Sequence, residues 1–191
     1  TLGASTTGTV TVSNAVEISG SVGEIIAALA TDATKVVLTG NANITASDVD
    51  GASDLSGVDP LGMLTAQLAN DVDISGNINL ANVENFSIDN GASVRMTTAQ
   101  HALITSAAGT NTVTLSNAGT VSGNAAVESY NLAAGSNNFT TDTVGQTVVG
   151  NTGVDTIIGS SGNDVIIGGD GDDLLTGGTG VDVLTGGIGA D

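Results

Sequence analysis

In the last third of the chain an aliphatic residue returns at every ninth position: Ile157, Ile166, Leu175 and Leu184, each at the centre of a three-residue stretch. Three residues are too few for a helix and suit one short β-strand with its central side chain turned inward. The six-residue segments between them are dense in Gly and Asp, which no helix or strand interior tolerates. Upstream the alternation is looser. "VTVSNAVEIS" and "KVVLTGNANITASDV" each predict strands, and "VENFSIDNGASVRMTTA" from Val83 and "VESYNLAAGSNNFTTD" from Val127 look like two versions of one longer unit, 44 residues apart. Both run from a Val-Glu strand through a Gly turn to a second strand. Short helices are expected where capping signals precede apolar runs: Ser21 with Glu24 before IIAALA, Asp59 and Pro60 as N-cap and first residue before LGMLTAQLA, and Thr97 with Gln100 before HALI.

Composition sharpens this picture. The apolar residues are nearly all Val, Ile, Leu and Ala, with Phe86, Phe139 and Tyr130 the only aromatics, so a thick globular core is not expected. Thin aliphatic packing between many short strands fits a solenoid, in which each turn packs mainly on its neighbours. Twenty acidic against two basic residues give a formal charge of −18, with Lys35 and Arg95 the only fixed cations. That excludes nucleic acid as a partner and disfavours anionic membrane surfaces, and it makes small cations the natural ligands. Cysteine is absent, which removes disulfides and thiolate chemistry. The most apolar window, residues 21–40, is broken by Glu24, Asp32 and Lys35, so no transmembrane span is expected. The opening TLGAS predicts no signal peptide, and the last unit stops after six residues, as in a piece cut from a longer protein.

Counting by nines divides the end of the chain into units beginning at Gly150, Gly159, Gly168, Gly177 and Gly186. Position four is always Gly (153, 162, 171, 180, 189) and position six always Asp (155, 164, 173, 182, 191). Position two is Gly in the later units but Asn151 and Ser160 in the first two. This is G-G-x-G-x-D-x-U-x, and over residues 150–191 the chain resembles the RTX (repeats-in-toxin) calcium-binding family. Thr141 to Val149 keeps the strand pattern but has Val144 and Gln146 where Gly and Asp would stand, and it reads as a metal-free lead-in turn. The expected fold is an all-β, right-handed parallel β-solenoid: residues 1–140 form an irregular β-helix-like segment with short helices, running into a calcium β-roll over 141–191.

The resemblance implies that two consecutive nonapeptides make one coil, and that Ca²⁺ lies between a unit and the unit eighteen residues on. Positions two, four and six of the first would meet positions one, three and six of the second. The implied ligands are therefore Asn151, Gly153 and Asp155 with Gly168, Asp170 and Asp173 for a first ion. They are Ser160, Gly162 and Asp164 with Gly177, Thr179 and Asp182 for a second, on the opposite edge. A third would use Gly169, Gly171 and Asp173 with Gly186, Ile188 and Asp191, which makes Asp173 common to two sites. Only position six contributes its side chain; those of Asp170 and Asp172 are expected to be solvated. Physically, hard cations take six to eight oxygens at flexible geometry, which carbonyls and carboxylates of stacked turns can supply. Residues 150–191 hold seven carboxylates and no Lys or Arg, so about three Ca²⁺ would offset six of the charges. Without counterions such stacked carboxylates repel, and the segment is expected to be largely unfolded without calcium.

No catalytic constellation stands out. The single His101 follows a capping signal and reads as a solvent-facing or packing residue, and "GSSG" at Gly159 belongs to the repeat rather than to a nucleophile elbow. Arg95 and Glu84 are expected to pair across strands. The resemblance implies type I secretion and an extracellular location. The leading reading is a calcium-dependent folding and assembly segment of a structural or adhesive protein (surface layer, matrix, filament or large adhesin), whose partners are calcium and either further copies of itself or other cell-surface components. The alternative is the C-terminal folding and secretion module of a secreted hydrolase whose catalytic domain lies outside these residues. A carbohydrate-acting β-helix is the third class, disfavoured by the shortage of basic residues.

Overall fold

The computed structural model describes residues 10–12, 16–29, 36–38, 42–58 and 62–191. They form an all-parallel β-solenoid of about 8 turns. One five-stranded sheet carries β2 (Val16–Ser21), β4 (Ala42–Ser47), β5 (Leu64–Leu68), β7 (Asn85–Ile88) and β9 (Ile104–Ala107) in that order. A seven-stranded sheet stacks β6 (Val72–Asp73), β8 (Ser93–Met96), β10 (Thr112–Leu115), β12 (Ser129–Asn131), β14 (Thr147–Val149), β16 (Val165–Asp170) and β18 (Val183–Ile188). A four-stranded sheet holds β11 (Thr120–Ser122), β13 (Asn138–Thr140), β15 (Thr156–Ile158) and β17 (Leu174–Thr176). The remaining pair is β1 (Val10–Val12) with β3 (Val36–Leu38).

Coil length is irregular upstream and longest at the start, with Val72 pairing Val94 among the longer steps. Val16 pairs with Ala42, Ile44 with Leu64, Ser93 with Thr112 and Thr112 with Ser129. From β11 and β12 onward every pairing spans eighteen residues, as in Val121↔Phe139↔Ile157↔Leu175 and Tyr130↔Val148↔Ile166↔Leu184. Two nine-residue units thus make one coil, and the central aliphatic residues of both sheets meet between them: Val148, Ile157 and Ile166 are fully buried. The eighteen-residue register reaches upstream of the glycine-rich units, so residues 141–149 continue the same ladder through Thr147–Val149. One core runs from Ile25 to Ile166 and includes Phe86, Tyr130 and Phe139.

Two of the three expected helices are present. In α1 (Val22–Leu29) the Ser21 amide donates to Glu24 Oε2 at 3.0 Å and the Glu24 amide to Ser21 Oγ at 3.3 Å. In α2 (Thr98–His101) Thr97 and Gln100 form the capping box. The third is corrected. Asp59, Pro60 and Leu61 lie outside the described residues, but LTAQL is strand β5, with Leu64, Ala66 and Leu68 buried at period two. Ladders to β4 and β7 on both sides satisfy its backbone, and that pairing outweighs a local helical pattern. The 44-residue likeness is also not a spatial step: β7 belongs to the five-stranded sheet and β12 to the seven-stranded one. Arg95 pairs not with Glu84 but with Asp73, its register partner on β6, at 3.4 Å. Glu84 instead accepts the Leu64 amide through Oε2 at 2.7 Å. Both ends of the Arg95–Asp73 pair are about half exposed, so it contributes little.

His101 is a packing residue. It is 6% exposed, its ring stands edge-on to Tyr130, and Nε2 lies 3.0 Å from the Tyr130 hydroxyl. That hydroxyl accepts the Asn124 amide and burial keeps it protonated, so it donates to a neutral imidazole. Burial lowers the His101 pKa to about 4. The unfolded chain therefore takes up the proton first as pH falls from 6.5. Stability is full above that value and declines by about 3 kcal/mol towards pH 4. Urea midpoints in saturating calcium should fall over this window in the native chain and much less in His101→Gln. Equal slopes in the two would refute the assignment.

Candidate metal centre

The six-residue turns stack in two columns. Turns 150–155, 168–173 and 186–191 lie along one edge and 159–164 with 177–182 along the other, each eighteen residues above the last. The three recurring residue types have separate jobs. Position four takes a left-handed backbone, φ +123° at Gly153 and +152° at Gly171, and a Cβ on Gly171 would strike the Gly153 carbonyl. Position two is left-handed as well, and Asn151 reaches φ +72° because Asn tolerates that region. Ser160 does not adopt a positive φ; its hydroxyl donates to the Thr141 carbonyl at 2.7 Å and its amide to Thr141 Oγ1 at 2.9 Å.

Position six splits its carboxylate between two tasks. One oxygen ties adjacent coils: Asp155 Oδ1 accepts the Asn137 amide at 2.7 Å, Asp173 Oδ1 the Asp155 amide at 2.8 Å and Asp191 Oδ1 the Asp173 amide at 3.0 Å. On the other edge Asp164 accepts from Gln146 at 2.8 Å and Asp182 from Asp164 at 2.9 Å. The second oxygen is turned back over position one of its own unit. A Cβ on Gly150 would meet Asp155 Oδ2 and the Gly168 carbonyl oxygen together. Gly159 has Asp164 Oδ2 with the Gly177 carbonyl, and Gly168 has Asp173 Oδ2 with the Gly186 carbonyl. Three cradles thus recur, each with a carboxylate oxygen from one unit and a carbonyl oxygen from the unit above, over a glycine with no side chain to fill the space.

Burial makes these oxygens costly. Asp155 and Asp164 are fully buried and Asp173 is 5% exposed. Asp155 Oδ2 and Asp173 Oδ2 have no hydrogen-bond partner, and Asp164 Oδ2 has only Thr141 Oγ1 at 3.4 Å. Burial, aided by the nearby Asp173 charge, raises the Asp155 pKa against the opposing hydrogen bonds from Asn137. A buried carboxylate oxygen without a donor costs several kcal/mol unless a cation faces it. Among the described residues no three His, Cys, Asp or Glu side chains converge into a metal-holding group, so the cradles are built from carboxylate and backbone carbonyl oxygens. That all-oxygen set suits a hard divalent cation and not zinc or copper.

The structure brings the sequence-derived groups together by edge and by pair. The carbonyls of Asn151 and Ser160 accept the amides of Asp170 and Thr179, and those of Asp170 and Ile188 accept the amides of Gly153 and Gly171. These oxygens hold the turns in register while each keeps a second lone pair. The Gly153, Gly162, Gly169 and Gly171 carbonyls point at the stacked glycines eighteen residues on. The side chain of Asp170 is exposed, and that of Asp172 accepts the Ala190 amide at the surface. The role of the position-six Oδ1 as an inter-coil cap was missed in the sequence; its only signal there was the strict eighteen-residue recurrence.

The family model of the RTX calcium-binding nonapeptide repeat (4 copies) matches residues 149–184 and 168–191. No curated protein and no solved structure matches the chain.

Proposed function

Since residues 149–191 carry RTX calcium-binding nonapeptide repeats, we propose that this segment binds about three Ca²⁺, one in each cradle, and that binding drives its folding. The first ion takes Asp155 Oδ2 and the Gly168 carbonyl, with Asn151, Gly153, Asp170 and Asp173 completing the shell. The second takes Asp164 Oδ2 and the Gly177 carbonyl, with Ser160, Gly162, Thr179 and Asp182. The third takes Asp173 Oδ2 and the Gly186 carbonyl, with Gly169, Gly171, Ile188 and Asp191. The observation that carries the reading is the buried, unpartnered Oδ2 of Asp155 and Asp173. Calorimetric titration of the chain is expected to give about three calcium sites and no comparable magnesium heat, because Mg²⁺ dehydrates reluctantly. Calcium heat no larger than that of magnesium would remove the basis for it.

The wider role is proposed from the likeness to RTX repeats, with the charge and the scaffold in support. The segment is a module of a secreted, extracellular structural or adhesive protein, exported unfolded where calcium is scarce and folded where it is abundant. A solenoid with a formal charge of −18 repels its own copies until cations offset the carboxylates, so calcium favours assembly as well as folding. Light scattering should show particle size rising with calcium; a chain that stays monomeric at saturating calcium would leave it a passive folding module.

A further inference from the structure

The nine-residue count extends upstream of Gly150. Asn137 then occupies position six of residues 132–140 and Gln146 position six of residues 141–149, and both lie in the eighteen-residue ladder. Asn137 is 6% exposed and Gln146 1%. The Asn137 Nδ2 sits 2.9 Å from the Ala133 carbonyl, 2.7 Å from the Gly135 carbonyl and 2.9 Å from Asp155 Oδ1. These are positions two and four of its own unit and position six of the unit eighteen on. The calcium sites proposed above draw on the same positions. Gln146 Nε2 reaches carbonyls of the coil below instead, those of Asn124 and Val127 at 2.9 and 2.6 Å on the other edge.

We infer that Asn137 and Gln146 are built-in cation surrogates: their carboxamide NH₂ groups gather turn oxygens of the coils ahead of the RTX units, and their main-chain amides present Asp155 and Asp164 to the first two calcium ions. The chemistry is a simple exchange. An NH₂ group is a double donor carrying partial positive charge, and it can satisfy two or three convergent oxygens with no ion present. The Asn137 main-chain amide and Nδ2 both hold Asp155 Oδ1, which leaves Oδ2 aimed over Gly150. On the other edge Asp164 Oδ1 accepts the Gln146 main-chain amide, and the Gln146 carboxamide braces that turn from the coil below. Earlier coils use the same device: Asn77 Nδ2 donates to the Asp50 and Ser53 carbonyls, and Asn82 Nδ2 to those of Leu55 and Val58. The solenoid up to Val149 is therefore a metal-independent template, and calcium folds the RTX units onto its edge. This inference rests on the calcium reading above.

Hydrogen exchange of the whole chain, followed by mass spectrometry in chelator and across a calcium titration, tests it. In the wild type, amides through Thr147–Val149 should be protected in chelator and those from Thr156 onward only in calcium. Asn137→Ala and Gln146→Ala should each raise the calcium midpoint for protecting residues 156–176 by about tenfold, as loss of a group that orients a metal ligand does. Asn137→Asp keeps the shape and exchanges the donor for a carboxylate, so protection of Asn138–Thr140 should become calcium-dependent. Several results overturn the inference while sparing the calcium reading: a wild-type chain unprotected throughout in chelator, alanine variants with the native midpoint, or Asn137→Asp behaving alike with and without calcium. Wild-type protection of residues 156–191 in chelator would overturn both.

Discussion

Transfer from saturating calcium into excess chelator is expected to abolish the β-structure of residues 150–191. The segment places seven carboxylates and no Lys or Arg on coils spaced one strand apart. Three of them, Asp155, Asp164 and Asp173, are buried along the two columns. Little apolar burial opposes this repulsion. Leu174, Val181, Val183, Leu184 and Ile188 are all substantially exposed, and the inward residues Ile157, Ile166 and Leu175 are single aliphatic side chains. Cation binding is then most of the folding free energy. Circular dichroism should lose β-signal on chelation and regain it with calcium but not magnesium; an unchanged spectrum would show that packing alone holds the roll. The raised Asp155 pKa adds a sign that can be checked. A carboxyl that holds its proton more tightly when folded favours folding at low pH, and this contribution fades as pH rises through the folded value. In chelator, acidification should therefore restore some β-structure, whereas in calcium it competes with the metal and weakens binding.

The second large effect is expected at the third cradle. A Cβ placed on Gly168 would meet Asp173 Oδ2 and the Gly186 carbonyl oxygen, the two groups assigned to the ion. Gly168→Ala should therefore remove about one calcium of the three and lower affinity at the site on the order of tenfold or more. Its backbone is not left-handed, so the loss comes from filled space and not from forced φ. Asp173 separates the two duties of position six. Asp173→Asn can keep the Oδ1 cap on the Asp155 amide while losing the charge, so it should lose calcium and retain coil register. Asp173→Ala also orphans the buried Asp155 amide, an added cost of about 1–3 kcal/mol. Calorimetry for stoichiometry and thermal melts in calcium distinguish the three. Identical stoichiometry in Gly168→Ala and the wild type would move the ion out of this cradle.

Much of the roll was legible from residue order. Position eight alternating with a Gly/Asp turn announced the three-residue strands β15 and β17 and the pairing of Ile157 with Leu175 and Ile166 with Leu184. However, β16 and β18 run on to six residues through their glycines, because parallel ladders on the coils beside them hold that backbone extended. The capping boxes at Ser21 and Thr97 were legible because both partners lie within one turn of chain. LGMLTAQLA was misread because its helical and strand patterns overlap, and only the neighbours β4 and β7 decide between them. Arg95 was misassigned because register, which places Asp73 beside it, is not written in either segment alone. The carboxylate's division between cap and cradle was equally hidden, since one Asp code letter carries two oxygens. Gln146 was visible only as the residue standing where Asp would, and Asn137 not at all, because an amide that donates to carbonyls does the work of a cation without resembling one in sequence.

By itself, then, the sequence determined the nine-residue unit, the acidic charge and the oxygen-rich turns, since each depends on residues close together in the chain. Tertiary structure alone decided which upstream strands stack, which oxygens lose their hydrogen-bond partners and where an amide stands in for a metal. Those outcomes depend on groups seventeen to twenty-six residues apart meeting across a coil, and their register is set by packing and by the closure of parallel ladders.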